Sequence, residues 1–203
     1  MSAEELSALL LLATATSFTP GPNTTLSTAL AANLGLRHAL RFVCAVPVGW
    51  GLLLCLCAAG VGGLVQQVPA LRWGIQAAGV AYLLWLALRL ARSRALTEVD
   101  PQRLRIRFVQ GVLLQFLNIK AWMLALSVVA GWLAGRSDAL QRFAWILPLM
   151  LAFGFASNLL YALTGSLLRG WLAGPDGTAR RLQWFNRGMA MVLAGTAFWM
   201  ARQ

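Results

Sequence analysis

The chain has 203 residues, 59% hydrophobic and 11% charged, with a mean hydropathy of +0.69. Soluble domains carry roughly 25% charged residues, so this composition excludes a free-standing soluble fold and indicates an integral membrane protein. The net charge of +11 would suit a nucleic-acid partner, but the arginines sit at the edges of apolar runs rather than in one patch, so no nucleic acid is expected.

The first apolar run extends from Leu6 to Leu34. Its start, MSAEEL, places Glu4 and Glu5 where a cleaved signal needs positive charge, so the segment is expected to remain as a span. At its centre lies Thr19-Pro20-Gly21-Pro22-Asn23. Pro22 has no N–H, and the two prolines disfavour helix in the residues before them. A break over Thr19–Asn23 is therefore predicted, with a second helical piece starting at Pro22, a residue favoured in a first turn. Its free amides and the hydroxyls of Thr24 and Thr25 would face the break. Bare backbone at bilayer depth is tolerated only against protein or a water-filled cavity. A half-helix N-terminus suits an anion such as a carboxylate.

Five further runs are long enough to span: Phe42–Leu64, Leu71–Leu90, Phe108–Leu133, Phe143–Leu168 and Leu182–Met200. They are continuous rather than alternating, which excludes a β-barrel. The predicted fold is thus all-α with six transmembrane helices. Cys44, Cys55 and Cys57 all fall in the second run, an odd count that makes no disulfide framework. No other thiol, imidazole or carboxylate in the spans completes a metal site with them, so they are read as packing residues.

Two short matches divide the chain into halves. Arg-Phe-x4-Pro occurs at Arg41–Pro47 and again at Arg142–Pro148, and Leu71-Arg72-Trp73 is echoed by Leu182-Gln183-Trp184. Three spans per half make the second half enter the membrane from the opposite side, an inverted repeat common among transporters. The division runs as a first repeat over residues 1–92, a basic linker over 93–107 and a second repeat over 108–203.

The fourth run contains Gln115-Phe116-Leu117-Asn118-Ile119-Lys120. Lys120 is the only lysine of the chain and the only formal charge near the centre of any run. An intramembrane charge costs at least about 2.5–3.5 kcal/mol and marks a functional site by default. No acid lies in any run, so carbonyls released by the first break, or a substrate carboxylate, would have to receive it. The fifth run adds Asn158 and Tyr161, three apart and so on one face, with Ser157 and Thr164 nearby; Tyr82 lies in the third. Signatures of hydrolases, zinc peptidases and phosphate-binding loops are absent, and no enzyme activity is expected.

On Thr19–Asn23 and on Leu114–Lys120, LQFLNIK, the sequence resembles the LysE/RhtB family of amino-acid exporters, over essentially its whole length. The family's usual pattern has Pro-Gly-Pro in the first span and Asn-Pro-Lys in the fourth. Here Pro20-Gly21-Pro22-Asn23 matches in full, while Asn118-Ile119-Lys120 has isoleucine in place of proline. LQFLNIK together with Ala77–Leu90, AAGVAYLLWLALRL, is most similar to the cysteine and O-acetylserine exporter branch. The resemblance implies efflux of small neutral amino acids across a bacterial inner membrane, driven by proton exchange, with no cofactor and no bound metal. Its partners would be a small amino acid and the lipid bilayer, and a homo-oligomer is compatible with it.

The site expected from these readings comprises Pro20, Gly21, Pro22, Asn23 and Thr24 with Gln115, Asn118, Lys120, Asn158 and Tyr161. Other exported amino acids (threonine, homoserine, leucine or a basic one) and a metal ion are the alternatives. The absence of membrane acids disfavours a dicationic substrate, whose second charge would have no partner. Twelve arginines flank the connections after runs one, three and five, against Arg72, Arg136, Arg142 and Arg202 on the other side. By the positive-inside rule both termini lie outside the cytoplasm and Ser93–Arg107 lies inside. Labelling of single introduced cysteines should find the N-terminus from the outer face; labelling from the cytoplasmic face would reverse the orientation.

Overall fold

The computed structural model describes residues 1–93, 106–174 and 179–202. Every regular element among them is helical. Residues 94–105 of the expected linker lie outside the described residues.

Helix α1 (Ala3–Phe18) opens with a capping box: the Ser2 hydroxyl accepts from the Glu5 amide at 3.1 Å and Glu5 accepts from the Ser2 amide at 2.9 Å. It stops where the sequence requires. Thr19, before Pro20, is extended at φ −72° and ψ 130°. Helix α2 (Pro22–Leu34) then begins with proline in its first turn. Helix α3 (Leu36–Ala58) is followed by a short α4 (Val61–Gln67), so the second apolar run is one span-length helix plus a separate turn, not the single stretch to Leu64 expected from hydropathy. Helix α5 (Pro69–Ala91) follows.

The fourth run is broken although it lacks the family's proline. Helix α6 (Phe108–Leu117) and helix α7 (Ile119–Val128) meet at a bend of 70°, the latter continuing as a π turn over Val129–Leu133. Asn118 makes the break: its backbone is extended at φ −95° and ψ 100°, and its side chain accepts from the Lys120 amide at 3.2 Å. An asparagine cap thus supplies what proline would otherwise impose. Helix α8 (Ala139–Ala173) and helix α9 (Arg180–Met200) complete the chain. By length and composition α3, α5 and α8 are each long and apolar enough to cross a membrane, and the bent α6–α7 pair, taken together, meets the same measure as a broken span or a re-entrant loop. α1 and α2, with 16 and 13 residues, are each shorter than a bilayer-crossing helix needs.

Two apolar cores organise the packing. One gathers α2, α5, α6 and α9 around Phe42, Leu114, Leu193 and Met200, and takes the first half of α3 up to Val46. The other gathers α1, α7 and the start of α8 around Leu9, Leu53, Leu54 and Ile146, and takes α3 from Trp50 onward. The seam between them therefore crosses α3 at Val46–Trp50 and α8 between Met150 and Ala162. On the α1 side, Glu5 bridges Arg136 and Arg142 at 3.0 Å each, and Arg142 also pairs with Asp138 at 2.8 Å. Hydrogen bonding from Arg142 holds the Asp138 carboxyl below the usual carboxylate range.

Close backbone approach needs glycine at Gly49, Gly79 and Gly165, the last two being the tightest. A Cβ on Gly165 of α8 would lie 2.2 Å from the Thr28 carbonyl of α2, and one on Gly79 of α5 would lie 2.1 Å from the Leu117 carbonyl at the α6 end. Small residues at such crossings are the usual means of packing helices in lipid. Gly165→Ala or Gly79→Ala should lower the melting temperature in detergent, by an overpacking cost of about 1–3 kcal/mol. Gly195→Ala meets no atom within 4 Å and should be neutral or slightly stabilising, since helix-interior glycine costs up to about 1 kcal/mol against alanine.

Candidate functional site

The break between α1 and α2 sets the site. In a continuous helix the carbonyls of Thr16 and Phe18 would accept from residues 20 and 22, but both are prolines without an N–H. The Ser17 carbonyl loses its donor as well, because the Gly21 amide turns to the Thr24 hydroxyl at 2.9 Å. That hydroxyl donates back to the Gly21 carbonyl at 3.1 Å. The Thr19 hydroxyl bonds to the Ala15 carbonyl.

Two of the exposed carbonyls are met from other helices. The Tyr161 hydroxyl on α8 donates to the Phe18 carbonyl at 2.9 Å, and Lys120 Nζ on α7 donates to the Thr19 carbonyl at 3.1 Å. The Cβ position of Gly21 lies 3.5 Å from Lys120 Nζ. The lysine ammonium thus stands beside the opening of α2, whose cap residue Gly21 contributes no side-chain cap. Among the described residues no carboxylate pairs with it. An ammonium has three donors, and one is used here, so two are free to meet an anion.

Around this point lies a cavity of about 80 Å³ at the seam of the two cores. Eight of the ten expected residues line it: Gly21, Pro22, Asn23, Thr24, Gln115, Asn118, Lys120 and Asn158. Pro20 does not, and acts through the donor it removes. Tyr161 does not either; its hydroxyl holds the break from behind. Asn23 and Gln115 exchange hydrogen bonds at 2.8 and 3.2 Å, so each is already satisfied by the other. Asn158 accepts from Ser27 at 2.9 Å and donates to the Gly154 carbonyl at 2.8 Å. Asn118 is engaged as the α7 cap.

The sequence reading missed the apolar wall made by Val46, Trp50, Leu124 and Met150. It also missed a reciprocal amide pair, Asn33–Asn186, at 2.8 and 2.9 Å, in which Asn186 is 0% exposed. Each asparagine falls within an apolar run, which marks it as polar among apolar residues but names no partner. Tyr82 packs on Trp85 and Thr164 bonds within its own helix, so neither joins the site. Among the described residues no three of His, Cys, Asp or Glu gather as metal ligands.

The arrangement can bind a small zwitterion, with a free ammonium and helix amides for its carboxylate and unsatisfied carbonyls for its ammonium. Replacing Pro20, Gly21 and Pro22 together by alanine restores those carbonyls' helical donors. It should abolish transport while membrane insertion stays unchanged; retained transport in liposomes would reduce the break to a structural kink.

The family profile described as LysE type translocator matches residues 14–203. Among curated relatives, a cysteine/O-acetylserine efflux protein of Salmonella paratyphi A is 30% identical over 153 residues, covering 75% of this chain and 77% of its own. One of Klebsiella pneumoniae is 30% identical over 168 residues, covering 80% and 82%. One of Escherichia coli O1:K1 is 30% identical over 152 residues, covering 75% and 77%. No solved structure matches the chain.

Proposed function

The chain belongs to the LysE family of translocators, and on that footing we propose that it is a proton-coupled exporter of small neutral amino acids, of the cysteine and O-acetylserine kind, in a bacterial inner membrane. The observation that carries this reading is the meeting of Lys120 Nζ with the broken backbone at Thr19–Gly21. The substrate carboxylate takes the two spare donors of Lys120 and the first amides of α2. Its ammonium takes carbonyls of the last turn of α1, where Thr16 and Ser17 line the cavity. The side chain lies against Trp50, Leu124 and Met150.

The printed names of the relatives, cysteine/O-acetylserine efflux proteins, favour this substrate class over the alternatives. So does the cavity, whose lining includes no acid to receive a second positive charge. Its small volume suits a short side chain, since pockets for drug-sized ligands run to about 300–1,000 Å³.

The six-span, 3+3 inverted reading belongs to the same proposal. α1 with α2 and α6 with α7 are the two broken spans, one per half, each with a residue in extended conformation at its break. α3 and α8 correspond as the proline-containing spans, with Pro47 and Pro148 inside them, and α5 corresponds to α9, on which it packs.

Lys120→Met tests the site, because it keeps length and apolar bulk and removes the charge. If Lys120 receives the carboxylate, substrate affinity should fall about tenfold to more than a hundredfold, the worth of a hydrogen bond to a charged group at 1.5–3 kcal/mol. If it carries the coupling proton, exchange should survive while proton-driven accumulation is lost. Exchange and proton-driven flux measured on the same liposomes separate the two, and unchanged values of both would remove Lys120 from the mechanism.

A further inference from the structure

α2 is unlike a lipid-facing helix. Eleven of its 13 residues are buried, and many are polar: Thr24, Thr25, Ser27, Thr28 and Asn33 are each at most 7% exposed. Three side-chain pairs tie it to three different helices. Asn23 pairs with Gln115 of α6, Ser27 with Asn158 of α8, and Asn33 with Asn186 of α9. At its far end Ala32 packs with Leu172 and Leu182 in a small separate cluster.

α1 makes a sharp contrast, with Leu9 and Ala13 its only buried residues of 16. The cavity follows the same asymmetry in part. On α1 its lining is half-buried or exposed, at Thr16, Ser17 and Thr19, and on α7 Lys120 and Leu124 are half-buried while Ala121 is buried. On α2 and α6 the lining residues Pro22, Thr24 and Gln115 are buried and Asn23 is half-buried, and Val46 of α3 and Asn158 of α8 are buried beside them.

Apolar contacts have no hydrophobic drive to join helices in lipid, and polar side chains commonly bond across such contacts. Interhelical hydrogen bonds in membranes are themselves weak, so such pairs can open. An amide pair also has a property that an apolar contact lacks: its members are satisfied by each other when dry and by water when wet. Buried polar pairs placed where a path must fill and empty therefore cost little in either state.

Resting on the export reading above, we infer that α2 is the inner gate of the transporter, with Asn33–Asn186 as its latch, and that this structure is the form closed on the cytoplasmic side with the site facing outward. Opening would part α2 from α8 along the Thr28–Gly165 contact and wet the three pairs together.

The test uses the full chain with Cys44, Cys55 and Cys57 replaced by alanine, in membrane vesicles of both orientations. Two reporters are introduced separately. Ser17→Cys stands at the outward end of the cavity, and Thr28→Cys stands on α2 beyond its floor. Reaction rates with a membrane-impermeant maleimide are read from each face. Asn186→Asp places a charge that favours the hydrated form. It should raise labelling of Thr28→Cys from the cytoplasmic face and lower that of Ser17→Cys from the outside, each by about threefold or more, the scale of one such hydrogen bond. Asn33→Leu with Asn186→Leu favours the dry form and should shift both rates the other way.

Unchanged rates in both variants would make the pair static packing and overturn the proposal. So would a rise of both reporters together, which is mere loosening. Cysteine counterflow measured on the same vesicles keeps the two readings apart. Reciprocal labelling shifts without counterflow would sink the substrate reading and leave the gate. Counterflow without labelling shifts would sink the gate and leave the substrate reading.

Discussion

A backbone carbonyl in hydrocarbon must have a donor, and the rest of the structure follows from that demand at one place. Pro20 and Pro22 remove two donors from the end of α1, and the Gly21 amide is diverted to Thr24. Unsatisfied groups at that depth cost several kcal/mol each. Tyr161 answers one of them at the Phe18 carbonyl, and Lys120 meets the neighbouring Thr19 carbonyl, the two side chains lying 143 and 101 residues away in the chain. Those two hydrogen bonds join α7 and α8 to the break. The contact that satisfies the backbone is thus also the one that delivers a cation to the mouth of α2.

The same demand explains why the cavity lies where it does. Two apolar cores pack on either side of a polar layer, and α3 and α8 cross from one to the other. Filling the seam with apolar side chains would leave the broken backbone of α1–α2 and α6–α7 without partners. Reciprocal amides at Asn23–Gln115 and the Asn118 cap keep the layer satisfied while leaving a space beside Lys120. Glycines at 79 and 165 bring helix backbones into contact next to that layer.

Much of this was legible in the sequence because it follows from covalent chemistry. Proline lacks an N–H whatever surrounds it, so the end of α1 near Thr19 and the start of α2 at Pro22 could be read directly. A lone lysine in an apolar run also announces itself. The α6–α7 bend was harder, because Ile119 gives no local reason for it; the bend comes from Asn118 capping α7, and asparagine in an apolar run has several other uses. Residue partners were not legible. Tyr161 and Asn158 share a face of α8, yet one supports the break from outside the cavity and the other lines it. Asn33 and Asn186 are 153 positions apart, and nothing local marks them as a pair. Hydropathy also ran the second apolar segment through to Leu64, past the turn at Ala59–Gly60 where α3 ends, because a turn of small apolar residues is invisible to it.

Charge balance gives the proposed substrate class a physical basis. The site carries one cation and no acid among its lining residues, so it is most costly when empty, with the ammonium met by a single carbonyl. A carboxylate entering beside Lys120 neutralises that charge, and the substrate's own ammonium then takes over the role of cation against the α1 carbonyls. So loaded, the proposed site would hold one charge pair, Lys120 with carboxylate, and one ion–dipole contact, ammonium with carbonyls, along a short line. Such an arrangement is less costly to bury than the lone lysine. On this proposal a zwitterion would lower the barrier to moving α2 past the site, whereas a second cation on the side chain would restore the unpaired charge. On the proposed reading, selectivity for neutral amino acids and the coupling of movement to occupancy have the same cause: a single positive charge left without a built-in partner.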